Sequence, residues 1–281
     1  MSEIHTATTA VKHAAENRAL GYLERLGYGA RGALYAVMGV LALRIAAGTG
    51  GGQATDLTGS LVFLIGNSFG KFVLIAMVIG LAAYSVWGFV RAIYDPMHRG
   101  RDASGYMARL GFVSSAVSYG AIVFFGLKLL LGAPAAAGDS TQQYATSILS
   151  HPFGGPLTII LGLVSVGVGI GQFVEAYRAT FAADLKSAEM TQTQRNVVVG
   201  LGRFGMAARG VGFLVIGWFL IQAGMQNNAA QARGFGGAFL FLLSEPFGQV
   251  LVGVVALGFV ALGLHSFALA RWVRLMGRSS G

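Results

Sequence analysis

Five stretches of this chain are too long and too free of charge to face water. Phe72 to Val90, Phe153 to Val174, Gly210 to Ala232 and Pro246 to Ala270 hold no Asp, Glu, Lys or Arg, and Leu110 to Leu127 is nearly as long. Crossing the hydrocarbon core as a helix takes about 20 mostly apolar residues, so each run is a candidate span. A sixth, roughly Tyr28 to Ala47, is weaker because Arg31 and Arg44 lie inside it. Both sit near its ends, where long side chains can reach the headgroups. Charged residues make up only 11% of the chain, against about 25% in a soluble domain. Barrel strands would alternate polar and apolar residues, and these runs do not. The expected fold class is therefore all-α, a polytopic membrane protein with six transmembrane helices.

The basic residues set the expected orientation. Of the 20 Lys and Arg, only Arg44, Lys71, Lys128 and Arg233 fall on the side that the first, third and fifth interhelical segments share. The other side holds both termini and the 2–3 and 4–5 loops, so the positive-inside rule gives N-in/C-in. The net charge of +9 then reflects topology and contact with anionic lipid headgroups on the cytoplasmic side. No water-exposed basic domain is long enough for nucleic acid, and none is expected to bind. The first 27 residues are too polar for the core of a secretory signal. Thr6 to Leu26 read as a cytoplasmic lead-in, an amphipathic helix on the membrane surface. The chain has no Cys, which excludes disulfides, thiolate metal sites and cysteine nucleophiles.

The chain also repeats itself. Arg25-Leu26-Gly27-Tyr28 returns as Arg109-Leu110-Gly111-Phe112 and as Arg203-Phe204-Gly205-Met206. Ser68-Phe69-Gly70 returns as Pro152-Phe153-Gly154 and Pro246-Phe247-Gly248, with the Phe 44 positions after the first Arg in every copy. No gap is needed even through the outer loop, which argues that the outer segment is ordered. The boundaries read as a cytoplasmic segment 1–24, repeat 1 at 25–95, repeat 2 at 109–180 and repeat 3 at 203–274. Each copy holds an outgoing helix, a short outer helix (Leu57 to Gly66, Gln142 to Ser150, Gly237 to Ser244) and a returning helix. The proline of Pro-Phe-Gly is read as lying in the first turn of that returning helix, where it costs no hydrogen bond. Two spans per copy give all copies one orientation, and a pseudo-threefold axis along the membrane normal is expected. Abundant glycine inside the spans, such as Gly162, Gly167 and Gly169, reads as close helix packing.

These motifs carry a resemblance. Arg25 to Gly32, its echo at Arg203 to Gly210, the Pro-Phe-Gly starts and the ending Gly80 to Trp87 are similar to the bacterial domain-of-unknown-function 1206 family. The middle copy departs most, with Ser115 where the others have Arg31 and Arg209. The resemblance implies three repeated two-helix membrane units in a bacterial inner membrane. It implies no activity.

Candidate chemistry is sparse. Gly200 to Gly205 matches G-x-G-x-x-G, but the dinucleotide fingerprint needs an acid about 20 residues later, and the next acid is Glu245. It is read as a repeat opening. Arg31 and Arg209 lie about one turn inside their helices at equivalent positions, with Tyr35, Tyr119 and Phe213 one turn further and Ser115 in the middle copy. One reading has the arginines snorkelling to cytoplasmic phosphates. The other turns them to the axis as an anion contact or pathway lining. Glu175 is expected to pair with Arg178 or an arginine of another copy, a proton-coupling role being the alternative. His265 stands where copy one has Trp87, and a lone histidine without partners is read as structural. No paired carboxylates, Ser–His–Asp set or metal-ligand spacing occurs within a span, so neither an enzyme nor a cofactor is expected. The favoured reading is a non-catalytic membrane protein acting as scaffold or through lipid or partner interaction. The alternative is a carrier or channel for a small solute, anion or proton along the axis.

Overall fold

The computed structural model describes residues 18–49, 57–66, 68–94, 103–134 and 140–272. Among these residues the regular structure is helical: α1 (Arg18–Ala46), α2 (Leu57–Ile65), α3 (Ser68–Tyr94), α4 (Ala103–Leu130), α5 (Ser140–Leu149), α6 (Gly154–Arg178), α7 (Gln192–Met225), α8 (Phe235–Ser244) and α9 (Gly248–Trp272). Helices α1, α3, α4, α6, α7 and α9 are long and apolar enough to cross a membrane. Lipid offers no hydrogen bonds to backbone, so the segments that cross it close their own. The short helices α2, α5 and α8 fall on the expected outer segments. Two are apolar and bury Leu61 and Phe239, whereas α5 is polar and largely exposed.

Two expectations need correcting. The lead-in helix is not separate over its described part: α1 runs unbroken from Arg18, and Glu24 is buried. Residues 1–17 lie outside the described residues. Nor does proline sit in the first turn after the outer helix. Helices α6 and α9 begin at Gly154 and Gly248, one residue after Phe153 and Phe247, which hold left-handed φ values of 66° and 60°. The glycine is required because a Cβ at Gly70, Gly154 or Gly248 would collide with a carbonyl of the preceding short helix, that of Leu64, Ile148 or Leu243.

The spans pack in the order α4, α3, α1, α9, α7, α6. The outgoing helix of one repeat meets the returning helix of another at α1·α9 and α7·α6 through matched positions. A Cβ on Gly39 would lie 2.7 Å from the Val260 nitrogen and 2.9 Å from the Ala256 carbonyl, and one on Gly217 would lie 2.9 Å from the Val166 nitrogen and 2.8 Å from the Gly162 carbonyl. The same two seams also pair Gly32 with Gly263 and Gly210 with Gly169. At α3·α4 those positions are Ala116 and Ser85, and the Ser85 hydroxyl donates to the Ala116 carbonyl at 2.7 Å. Small residues let the backbones touch, which in lipid is the main source of helix association.

Within a repeat the register also recurs, but only twice. Gly80 packs on Ala30 and the Leu26 carbonyl, and Gly258 on Ala208 and the Phe204 carbonyl. In the middle repeat the same positions are Val164, Ser114 and Leu110, and α4 and α6 do not pack along each other among the described residues. Val164 is 57% exposed and Leu110 61%, and a Cβ at Gly111 would meet nothing. A valine cannot enter the notch that a glycine leaves, so this hairpin stays open. Gly80→Val should therefore destabilise the bundle by about 1–3 kcal/mol through overpacking, seen as a lower melting temperature in detergent. Gly167→Val, where a Cβ meets nothing, should leave it unchanged.

Candidate functional site: a buried arginine–tyrosine cluster

Four of the seven candidate residues come together in the bundle. The Tyr35 and Tyr119 hydroxyls, from repeats one and two, are 2.9 Å apart and buried. The guanidinium carbons of Arg31 and Arg209 each lie 5.7 Å from the centre of the Tyr35 ring. Arg31 also donates to the Tyr84 hydroxyl at 2.9 Å and lies over the Tyr28 and Tyr84 rings. It thus turns into the bundle and does not snorkel outward. Arg209 is held over Phe213 at 5.2 Å, one turn along its own helix. These contacts follow from helical spacing: Arg31 and Tyr35, like Arg209 and Phe213, are four residues apart and share a face.

The cluster extends to residues that repeat-matching alone passes over. Tyr84 stacks edge-on against both Tyr28 and Tyr119, at 5.6 and 5.0 Å. Arg91, only 6% exposed, lies over the rings of Tyr84 and Phe112 at 5.5 and 4.9 Å. Glu24 is within electrostatic reach of Arg91 and Tyr28. Tyr84 corresponds to Val168 and Leu262 in the other copies, and Arg91 to Glu175 and Leu269. The usable signal was this mismatch: a large polar residue in one copy where another copy is apolar.

The other three candidates lie apart. Ser115 is half-buried one turn before Tyr119 on α4. Glu175 makes neither expected ion pair among the described residues. Its carboxylate instead accepts from the Thr180 hydroxyl at 2.6 Å and the Phe181 amide at 2.9 Å, closing the end of α6. His265 is fully buried, with Nδ1 3.0 Å from the Val198 carbonyl and its ring edge-on to Phe181. It braces α9 against α7. No three His, Asp or Glu side chains converge among the described residues, so no metal ligand set is assembled there. At the end of the bundle that carries the short helix α5, an apolar groove of about 500 Å³ runs between α5 and the start of α6, past Ile148, Phe153 and Leu157.

Six apolar spans, three sequence-matched repeats and a largely buried polar cluster define a multi-pass helical membrane protein of tandem-repeat type. The chain belongs to the family described as Domain of Unknown Function (DUF1206), whose model matches it three times, at residues 26–95, 110–179 and 204–273. It is 33% identical over 242 residues to the Uncharacterized protein YxxB of Bacillus subtilis (strain 168), an alignment covering 86% of this chain and 87% of that protein. No solved structure matches it.

The tyrosine pair gives a direct test. Removing one hydroxyl leaves the other buried without its partner, at a cost of about 1–3 kcal/mol. Tyr35→Phe and Tyr119→Phe should each lower the melting temperature, and the double variant should lose less than the two singles together.

Proposed function

We propose that this is a non-catalytic protein of the bacterial inner membrane, oriented N-in/C-in, that serves as a scaffold and works through contact with lipid or a membrane partner. The observation that carries the reading is the filled centre. The Tyr35–Tyr119 hydroxyl pair ties α1 to α4, and Arg209 of α7 reaches the Tyr35 ring. Met38, Ala42, Ile122 and Ile216 on the same three helices are buried, which supports a packed interior over an aqueous path. A carrier needs binding groups around an aqueous or openable pathway near the midplane. The cationic Arg31 and Arg209 are the one feature that favours the carrier reading.

The lack of native cysteine makes the experiment clean. Single cysteines at Tyr35, Met38, Tyr119, Ile122, Phe213 and Ile216 should resist a membrane-impermeant maleimide in intact cells and in inverted vesicles. Exposed controls report sidedness in the same assay: Asn227 should label in cells and Ala183 only in inverted vesicles. Labelling at the three matched positions Tyr35, Tyr119 and Phe213 would replace the scaffold with a carrier.

A further inference from the structure

We infer that the arginine–tyrosine cluster is a binding site for a phosphate anion, reached from the side of the bundle between α4 and α6. Charge is the first argument. Arg31, Arg91 and Arg209 converge on the tyrosines, and the carboxylate within electrostatic reach is Glu24, beside Arg91. Arg209 has no hydrogen-bond or carboxylate partner among the described residues. Arg91 is buried and Arg31 and Arg209 are half-buried. Positive charge partly withdrawn from water with little counter-charge is costly, and an anion offsets it.

Donor geometry is the second argument. Tyrosine rings cover the faces of a guanidinium, but its five N–H groups point outward in its plane. Arg31 spends one on Tyr84. The Nε atoms of Arg31 and Arg91, and Nε1 of Trp87 one turn from Arg91, are buried without a hydrogen-bond partner among the described residues. Arg91 and Trp87 are 6% and 5% exposed, so bulk water does not serve them. Phosphate oxygens are the acceptors that guanidinium pairs match best.

Access is the third. In repeats one and three the hairpin is closed by Gly80 and Gly258 in the notch, and near its end Trp87 and His265 are buried, His265 against α7. Repeat two has Val164 and Gly171 at those positions, and α4 and α6 stand unpacked. Tyr119, on the same helix α4 as the exposed Leu110 and Val117, reaches the cluster through its bond to Tyr35. Its walls are apolar, with Leu110, Val117 and Val164 exposed, which suits an acyl chain below a phosphate headgroup. The assignment deepens the lipid-contact reading and rests on it, but binding can fail while the centre remains packed and unlabelled.

The test measures binding to the purified full chain in detergent by native mass spectrometry and thermal shift. The probes are phosphatidylglycerol, phosphatidylcholine with the same acyl chains, and inorganic phosphate. The wild type should prefer phosphatidylglycerol by about tenfold. Arg209→Gln should abolish that preference without lowering the lipid-free melting temperature, because it removes an unbalanced charge. Arg203→Gln, at an exposed arginine bonded to the Tyr177 carbonyl, should keep it. Arginine-dependent stabilisation by inorganic phosphate alone would support the site and identify a free anion as its ligand. If neither phosphatidylglycerol nor phosphate separates wild type from Arg209→Gln, the site is overturned. The same holds if Arg209→Gln destabilises the lipid-free protein, which would make the arginine a packing element.

Discussion

How close two backbones can come governs most of this structure. In lipid there is little hydrophobic gain from pressing one apolar helix on another, so association depends on dispersion between surfaces in contact. A glycine removes the side chain that would hold two helices apart. The α1·α9 and α6·α7 seams use the same glycine register, so one duplicated solution is deployed at two places. Where the register is lost, the geometry follows. At the third seam Ser85 and Ala116 stand in for two of the glycines and the serine hydroxyl bonds across it, and Val164 unseats the middle hairpin altogether.

The arginine–tyrosine cluster depends on those seams. Tyr35 and Tyr119 reach each other only because α1 and α4 are both drawn against α3. The rings then shield three guanidiniums from lipid through their negative faces. A cation in this setting is tolerable where aromatic contact, a hydroxyl and one carboxylate share the load, and the share is uneven. Arg91 has Glu24 nearby, Arg31 has the Tyr84 hydroxyl, and Arg209 has rings alone.

The span count, the helical class, the short outer helices and the family could be read from the chain because each rests on a long or repeated pattern. Charge-free runs and a 44-residue internal spacing survive local irregularity. Arg31, Tyr35, Tyr119 and Arg209 were picked out because they hold equivalent positions in the repeats. Spacing left open whether the arginines turn inward or snorkel outward, which the Tyr84 and Tyr35 contacts decide for Arg31. Tyr84 and Arg91 were harder to see because they belong to copy one alone, and Glu175 was misplaced because a carboxylate beside a span suggested an arginine. Its actual partners, Thr180 and the Phe181 amide, depend on how the chain turns after α6, and spacing carries no trace of that. The open hairpin was written in a single Gly-to-Val change, but its meaning needed the contact it breaks.

The seam between α1 and α9 has a consequence for how the protein is made. It joins α1 to α9, so the glycine face of α1 that includes Gly32 and Gly39 has no mate until α9 has been made. The helices inserted in between cannot relieve it, since α3 takes a different side of α1 through Gly80 and Ala30. Ribosome, insertion machinery and half-built bundle must therefore coexist with an unsatisfied α1 while the helices between are made. This seam cannot lock before α9 arrives, and a chain truncated before α9 forfeits it.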